Sequence, residues 1–261
     1  METREIFRMQ RRRSAVLAFV ALLGVQTTVL AAGNEAAISP GARGVMERMT
    51  AFMAKQATFA IASDVTRDEV AAYGYKLQHQ EHADIVVQRP ARLRASIVGD
   101  LADRTIVYDG RNLAMYAPED RAYVRIAAPD TLAALLDGLL DAGVDLPLAD
   151  VLFQATEGTL TDGVERGVQI GTATIDGELC DHLAFRHPNV DWQLWVARGD
   201  RPLPRKLVIT TRYEVGEPQF QATLRWDLAP KIDAGTFAFD APDGSVEISF
   251  DNTAALRGGA R

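Results

Sequence analysis

The chain has 261 residues, of which 48% are hydrophobic, and a formal net charge of −7 at pH 7. This acidic balance argues against nucleic-acid binding, because affinity for phosphates depends on Lys and Arg. The single cysteine, Cys180, excludes an intramolecular disulfide framework, so stability must come from a buried core, for which the length is ample.

The N-terminus has the three parts of a secretory signal peptide. Five arginines precede a mainly apolar stretch, Ala15 to Leu30, and small residues around Ala31 suit cleavage. The unbroken apolar run, Ala15 to Val25, is shorter than the about 20 residues that span a bilayer, and no cysteine marks a lipoprotein. We expect removal of residues 1–31 and a periplasmic product without an integral membrane span. Its formal charge would be −10, because five Arg and two Glu leave with the peptide.

The remaining chain divides into three parts. Residues 32–44 are small and polar and predict a flexible lead-in, residues 45–250 predict a single domain, and residues 251–261 predict a flexible tail. Apolar residues at helical spacing predict one helix from Pro40 to Gln56. The residues with that spacing are Val45, Met49, Phe52 and Met53.

Most of the domain has the pattern of short strands joined by tight turns. Asp109-Gly110 and Asp176-Gly177 each stand between strand-like runs, which is a strong hairpin signal. Phe237 and Phe239 with the run from Val246 to Phe250 predict the closing strands. We therefore expect an α+β fold: a curved antiparallel sheet with helices on one face.

Two helices interrupt the strands. The first lies between Asp130 and Asp141, and Pro147 to Phe153 predicts the second, a shorter one. The apolar stripe of the first fits equally a helix that caps a core and a lid over a cavity. Its members are Leu132, Leu135, Leu136, Leu139 and Leu140.

Several motifs together resemble the predicted periplasmic proteins grouped as domain of unknown function 2092. The resemblance covers Pro40 to Phe250, nearly all of the expected mature chain. The motifs are Arg89-Pro90-Ala91-Arg92-Leu93-Arg94, Tyr108-Asp109-Gly110, Asp176-Gly177 with Cys180-Asp181-His182-Leu183, Trp192-Gln193-Leu194-Trp195 and Leu203-Pro204-Arg205-Lys206-Leu207.

The same layout is more distantly similar to the lipoprotein carriers LolA and LolB and to the lipid-sensing domain of RseB. That similarity implies a half-open β-barrel with helices on or in its concave face and an apolar cavity for acyl chains. Apolar residues at alternate strand positions and on the Leu-rich helix are then the candidate lining of a ligand cavity. The candidates are Leu93, Ile97, Met115, Leu135, Leu139, Trp192, Leu194, Phe220, Leu224 and Trp226.

Catalytic and metal-binding patterns are weak. No serine has the Gly-x-Ser-x-Gly setting of a hydrolase, and no pair of carboxylates is marked by its surroundings. The nearest approach to zinc ligands lacks paired spacing, and strand spacing would separate a second pair of histidines. These two groups are Cys180, His182, His187 and Asp191, and His79 with His82. We expect no catalytic residue, no metal site and no cofactor.

The expected function is therefore binding. A periplasmic carrier or sensor would hold a lipid, an acylated protein or another amphiphile in the cavity. An alternative is an interaction module with a filled core whose outer surface docks an envelope protein. An unrecognised enzyme is a weaker alternative.

Overall fold

The structure, a computed structural model, describes residues 37–141, 148, 153 and 159–249. The predicted signal peptide, the predicted tail and most of the predicted second helix lie outside the described residues. Among the helices that are described, none combines the length and apolar character needed to cross a membrane.

Within the described residues, the named elements are two α-helices and twelve strands, and a short 3₁₀ turn at Ala72–Gly74 joins β1 to β2. They are α1 (Pro40–Met53), β1 (Thr58–Val70), β2 (Lys76–Gln88), β3 (Arg92–Gly99), β4 (Arg104–Tyr108), β5 (Asn112–Ala117), β6 (Ala122–Ala127), α2 (Leu132–Asp141), β7 (Arg166–Ile175), β8 (Glu178–Arg186), β9 (Val190–Ala197), β10 (Pro204–Thr211), β11 (Gln219–Asp227) and β12 (Val246–Glu247).

All twelve strands form one open sheet in the order β12-β6-β5-β4-β3-β2-β1-β11-β10-β9-β8-β7. Strands β2 to β6 and strands β7 to β11 are two antiparallel meanders, and β1 joins them by pairing with β2 and with β11. The short β12 is the exception, because it pairs in parallel with β6. The α+β fold predicted from the sequence, a curved and open antiparallel sheet with few helices, is confirmed.

Both Asp-Gly sites form hairpin turns. Asp176 and Gly177, with φ angles of 47° and 81°, join β7 to β8. A two-residue hairpin of this type needs positive φ at both positions, which Asp tolerates and Gly favours. In the other turn, the Asp109 carboxylate accepts hydrogen bonds from the backbone N–H groups of Arg111 and Asn112 at 2.8 and 2.7 Å.

Helix α1 begins at Pro40, so residues 40–44 are its first turn and not a flexible lead-in as predicted. Ser39 caps the helix, since its Oγ accepts a hydrogen bond from the backbone N–H of Ala42 at 3.4 Å. Small residues mislead here, because burial of one helix face orders them against the sheet. The buried residues of α1 are Ala42, Val45, Met46, Met49 and Met53.

The C-terminal segment also differs from the prediction. Up to residue 249, where the described part of this segment ends, Val246–Glu247 is the only strand, and Phe237 and Phe239 lie in irregular backbone. The Phe239 ring packs on the convex face, 5.4 Å from the Tyr123 ring centroid. Aromatic packing therefore holds this segment in place where a ladder of strand hydrogen bonds was expected.

Candidate functional site

A cavity of about 540 Å³ lies between α2 and the concave face of β1 to β5, and Phe220 of β11 also borders it. Residues on these strands alternate between the two faces, so every second side chain points inward. Phe59, Val87 and Leu113 are three of the buried side chains that form its apolar wall. A volume of this size is in the range of small-molecule binding sites.

Helix α2 covers the cavity and is tied to the sheet at its N-terminus. The backbone N–H of Leu132 donates to the carbonyl of Pro90 at 3.0 Å, and the Tyr108 hydroxyl donates to the carbonyl of Pro129, just before the helix. The Leu stripe faces the cavity through Leu132, Leu135, Leu136 and Leu139. The side chain of Leu140, predicted on the same face, lies outside the described residues.

Six of the ten residues predicted for a ligand cavity line this one. They come from β3 and β5 of the first meander, from α2 and from β11, so they are brought together from distant parts of the chain. They are Leu93, Ile97, Met115, Leu135, Leu139 and Phe220.

The other four predicted residues do not line the cavity. They share the concave side of the sheet, but α1 covers that half, as the bridge between Ile38 and Gly167 of β7 indicates. The buried methionines of α1 belong to the same core cluster and fill the space. The alternation of apolar and polar residues correctly assigned these side chains to the concave face of the sheet. It carries no information about which helix covers each part of that face. They are Trp192, Leu194, Leu224 and Trp226.

The cavity is mainly apolar at one end, where Arg89 beside Phe59 is the charged lining residue, and charged at the other. Strand register sets this gradient: Phe59 lies opposite Val87 near the start of α2, whereas Arg67 and Glu81 lie at the far end of β1 and β2. Arg67 Nη2 donates to Glu81 Oε1 at 3.1 Å. The lining residues that are exposed, Glu69, Leu101 and Glu214, are all at the charged end, which we call the mouth.

Arg104 is a further charged group that faces the mouth. It pairs with Ile97 across β3 and β4 and so points to the concave face. Burial lowers the pKa of its guanidinium, the negative charge of Glu81 partly offsets this effect, and Arg67 adds to it. Sequence reasoning missed Arg67, Glu81 and Arg104, because a charged residue in a half-buried strand normally indicates the solvent face. The available signal was their position in step with inward apolar residues.

Gly99 makes room for the charged pair. It lies opposite Glu81 on β3, and a Cβ at this position would be 2.6 Å from Glu81 Cγ and 2.6 Å from the Gln80 carbonyl oxygen. Any larger residue would displace either the strand or the carboxylate. The absence of a side chain at Gly99 therefore leaves the space that the Glu81 side chain occupies beside Arg67.

Of the residues first considered as metal ligands, Cys180, His182 and Asp191 lie on strands, and His187 directly follows β8. Cys180 is fully buried on the convex side, and burial is the main cause that raises the pKa of its thiol. His182 stacks on Trp195 with ring centroids 4.2 Å apart and contacts Gln193. No cluster of three or more His, Cys, Asp or Glu side chains suited to a metal occurs in the described part of the chain.

The second pair of histidines is separated by strand geometry. His79 and His82 lie on opposite faces of β2, as strand spacing predicts. His79 contacts Glu69 at 3.1 Å, and His82 contacts Asp64 at 2.7 Å. Each ring thus has its own carboxylate partner.

A family model for a predicted periplasmic protein, domain of unknown function 2092, matches residues 42–251. The chain belongs to this family. The resemblance seen in the motifs is thereby confirmed, and the periplasmic location predicted from the N-terminus agrees with the description of the family. No curated protein matches the sequence significantly.

Solved structures with a similar fold are distant in sequence. The lipoprotein LprF from Mycobacterium bovis is 12% identical, with a TM-score of 0.48, over 77% of this chain and 100% of its own. LppX from Mycobacterium tuberculosis is 14% identical, with a TM-score of 0.46, over 74% and 99%. A LolA superfamily protein from Nitrosomonas europaea is 12% identical, with a TM-score of 0.33, over 75% and 96%. These values indicate similarity of fold only.

Proposed function

We propose that the protein is a periplasmic carrier or sensor that binds the apolar part of a lipid, an acylated protein or another amphiphile beneath α2. The observation that carries this proposal is the cavity of about 540 Å³, which is lined mainly by apolar side chains. Each methylene group that leaves water for such a wall contributes about 0.8 kcal/mol. Several buried methylenes therefore give useful affinity without polar recognition.

The unequal halves of the sheet support the same proposal. In the half under α1, methionines fill the space between helix and sheet, whereas under α2 the leucine stripe borders an open volume. A core helix of a fully packed domain would leave no such volume, since protein interiors are close to crystal density. Helix α2 is therefore assigned as the cover of a binding site.

A matched pair of substitutions tests the proposal. Leu139→Trp adds volume inside the cavity, and we expect it to weaken binding of the neutral fluorescent probe N-phenyl-1-naphthylamine about tenfold while the protein stays folded. Leu194→Trp adds the same volume in the half under α1, where Leu194 is fully buried. We expect it to destabilise the fold by about 1–3 kcal/mol, the usual cost of overpacking.

Probe fluorescence and urea denaturation of both variants give the answer. If the wild-type protein takes up no probe and both substitutions destabilise the domain equally, the interior is solid and the carrier proposal is wrong. Native mass spectrometry of the protein from the periplasm adds an independent readout, because a carried lipid adds mass to the native ion.

A second candidate function is docking of an envelope protein. Two neighbouring hairpin tips beside the mouth expose apolar and aromatic side chains, with Tyr73 98% and Val215 86% exposed. The tips contact each other, since Lys76 Nζ donates to the carbonyl of Gly216 at 3.3 Å. Exposed patches of this kind occur at interaction sites. The docking function is favoured if the native protein carries no lipid and N-phenyl-1-naphthylamine does not bind.

A further inference from the structure

The charges at the mouth are not evenly satisfied. Among the described residues, Asp68 pairs with Lys76 at 3.2 Å, Glu69 with His79 at 3.1 Å and Glu81 with Arg67 at 3.1 Å. The remaining acid, Glu214, lies in an exposed turn and is solvated. The carboxylates that border the mouth therefore have either a partner or water.

Arg104 differs from all of these groups. In the part of the chain that the structure describes, it forms no ion pair, and its Nε is buried without a hydrogen-bond partner. A guanidinium keeps its charge in proteins, so desolvation without a partner is costly for it. The unsatisfied charge of the cavity is therefore positive, and it faces the mouth.

We infer that the cavity binds an anionic amphiphile, whose acyl chain lies beneath α2 and whose carboxylate, sulfonate or phosphate group is held by Arg104. The inference rests on the proposed function and specifies its ligand class. The gradient of the lining supports it, because the deep end is mainly apolar and the more highly charged end opens to solvent. A planar guanidinium can donate two parallel hydrogen bonds to such an anion, which a neutral headgroup does not receive with equal strength.

Two probes that differ by one charged group test the inference. 8-Anilino-1-naphthalenesulfonate has the aromatic frame of N-phenyl-1-naphthylamine plus a sulfonate. We expect Arg104→Gln in the mature protein to weaken binding of the sulfonate probe about tenfold. This is the lower end of the range for loss of a hydrogen bond to a charged group. Binding of the neutral probe should change by less than about twofold. Arg104→Lys, which keeps the positive charge, should recover part of the loss.

Arg111→Gln is the matched control, because it removes one positive charge from an exposed turn at the opposite end of β4 and β5. It should leave both probes unaffected. Inorganic phosphate at constant ionic strength should not displace the sulfonate probe, since it lacks the apolar part. Thermal unfolding of each variant establishes that the fold is retained.

The outcomes separate the two proposals. If Arg104→Gln weakens binding of both probes equally, or weakens binding of neither, the anionic assignment is wrong while the carrier proposal stands. Displacement by inorganic phosphate at millimolar concentration also overturns it, because the site would then bind free anions. If neither probe binds the wild-type protein, the carrier proposal itself is wrong.

Discussion

Individual residues at the two ends of the cavity have different tasks. At the mouth, Arg104 and the pair Arg67–Glu81 supply charge, and Gly99 leaves the space in which Glu81 stands. At the closed end, Tyr108 is fully buried and its hydroxyl donates to the carbonyl of Pro129. This hydrogen bond fixes the chain just before α2, so one side chain positions the helix that covers the cavity.

Replacement of Tyr108 by Phe tests that role. We expect the free energy of unfolding at pH 7 to fall by about 1 kcal/mol, the usual net value of one hydrogen bond. Tyr116→Phe on β5 is the control, because its hydroxyl makes no hydrogen bond with the described residues, and it should change stability less. Urea denaturation compares the variants, and equal losses would contradict the anchoring role.

The same variant has a defined dependence on pH. Burial raises the pKa of the Tyr108 hydroxyl above its ordinary value of 10.0, and nearby Asp130 and Asp109 act in the same direction. A raised folded-state pKa gives stability that is present below about pH 10 and is lost as pH rises through the folded-state pKa. The stability difference between wild type and Tyr108→Phe should therefore shrink only above about pH 10.

At the scale of elements, the two helices have similar amphipathic patterns but pack differently against the sheet. Helix α1 buries five residues against the sheet, two of which are fully inaccessible. Helix α2 buries a leucine stripe over an open volume. A helix that packs against fewer side chains opens at a lower free energy. The difference between the helices is therefore one of local stability.

Hydrogen exchange measures this difference directly. We expect the amides of α2 to exchange faster than those of α1, and N-phenyl-1-naphthylamine to slow exchange in α2 while leaving α1 unchanged. Strands β8 to β10 serve as an internal reference, because they lie away from the cavity. Equal protection of both helices without probe would show that α2 is packed as tightly as α1.

Local chemistry made some elements predictable from the sequence. Asp-Gly pairs encode their turns through positive φ, and a leucine stripe encodes a helix face. Such patterns do not predict whether a helix or an open cavity lies against a given part of the sheet face. Trp192 and Phe220 both alternate with polar neighbours, yet only Phe220 borders the cavity, because α1 fills the other half. Arg104 was missed for a related reason. That a charged residue on a strand points inward can be recognised only when the residues around it in the fold are known.

At the scale of the whole molecule, the prediction that belongs to the N-terminus is export into the periplasm. We expect the mature protein to begin close to Ala32, since the N-terminal segment has the three parts of a cleaved signal peptide. Intact mass of the protein from the periplasmic fraction gives the start of the mature chain. Recovery of a chain that still begins at Met1 in that fraction would contradict the prediction.

The pairing of β1 with β11 also has a consequence for how the chain folds. Each meander is built from neighbouring strands, whereas this seam joins residues as far apart in sequence as Arg67 and Phe220. Contacts over long separations are the slow ones to form, because chain entropy is lost before they stabilise the fold. We therefore expect the meanders to assemble first and the seam to close last. Because Phe220 lies on that seam and borders the cavity, we expect the cavity to be completed only in the final folding step.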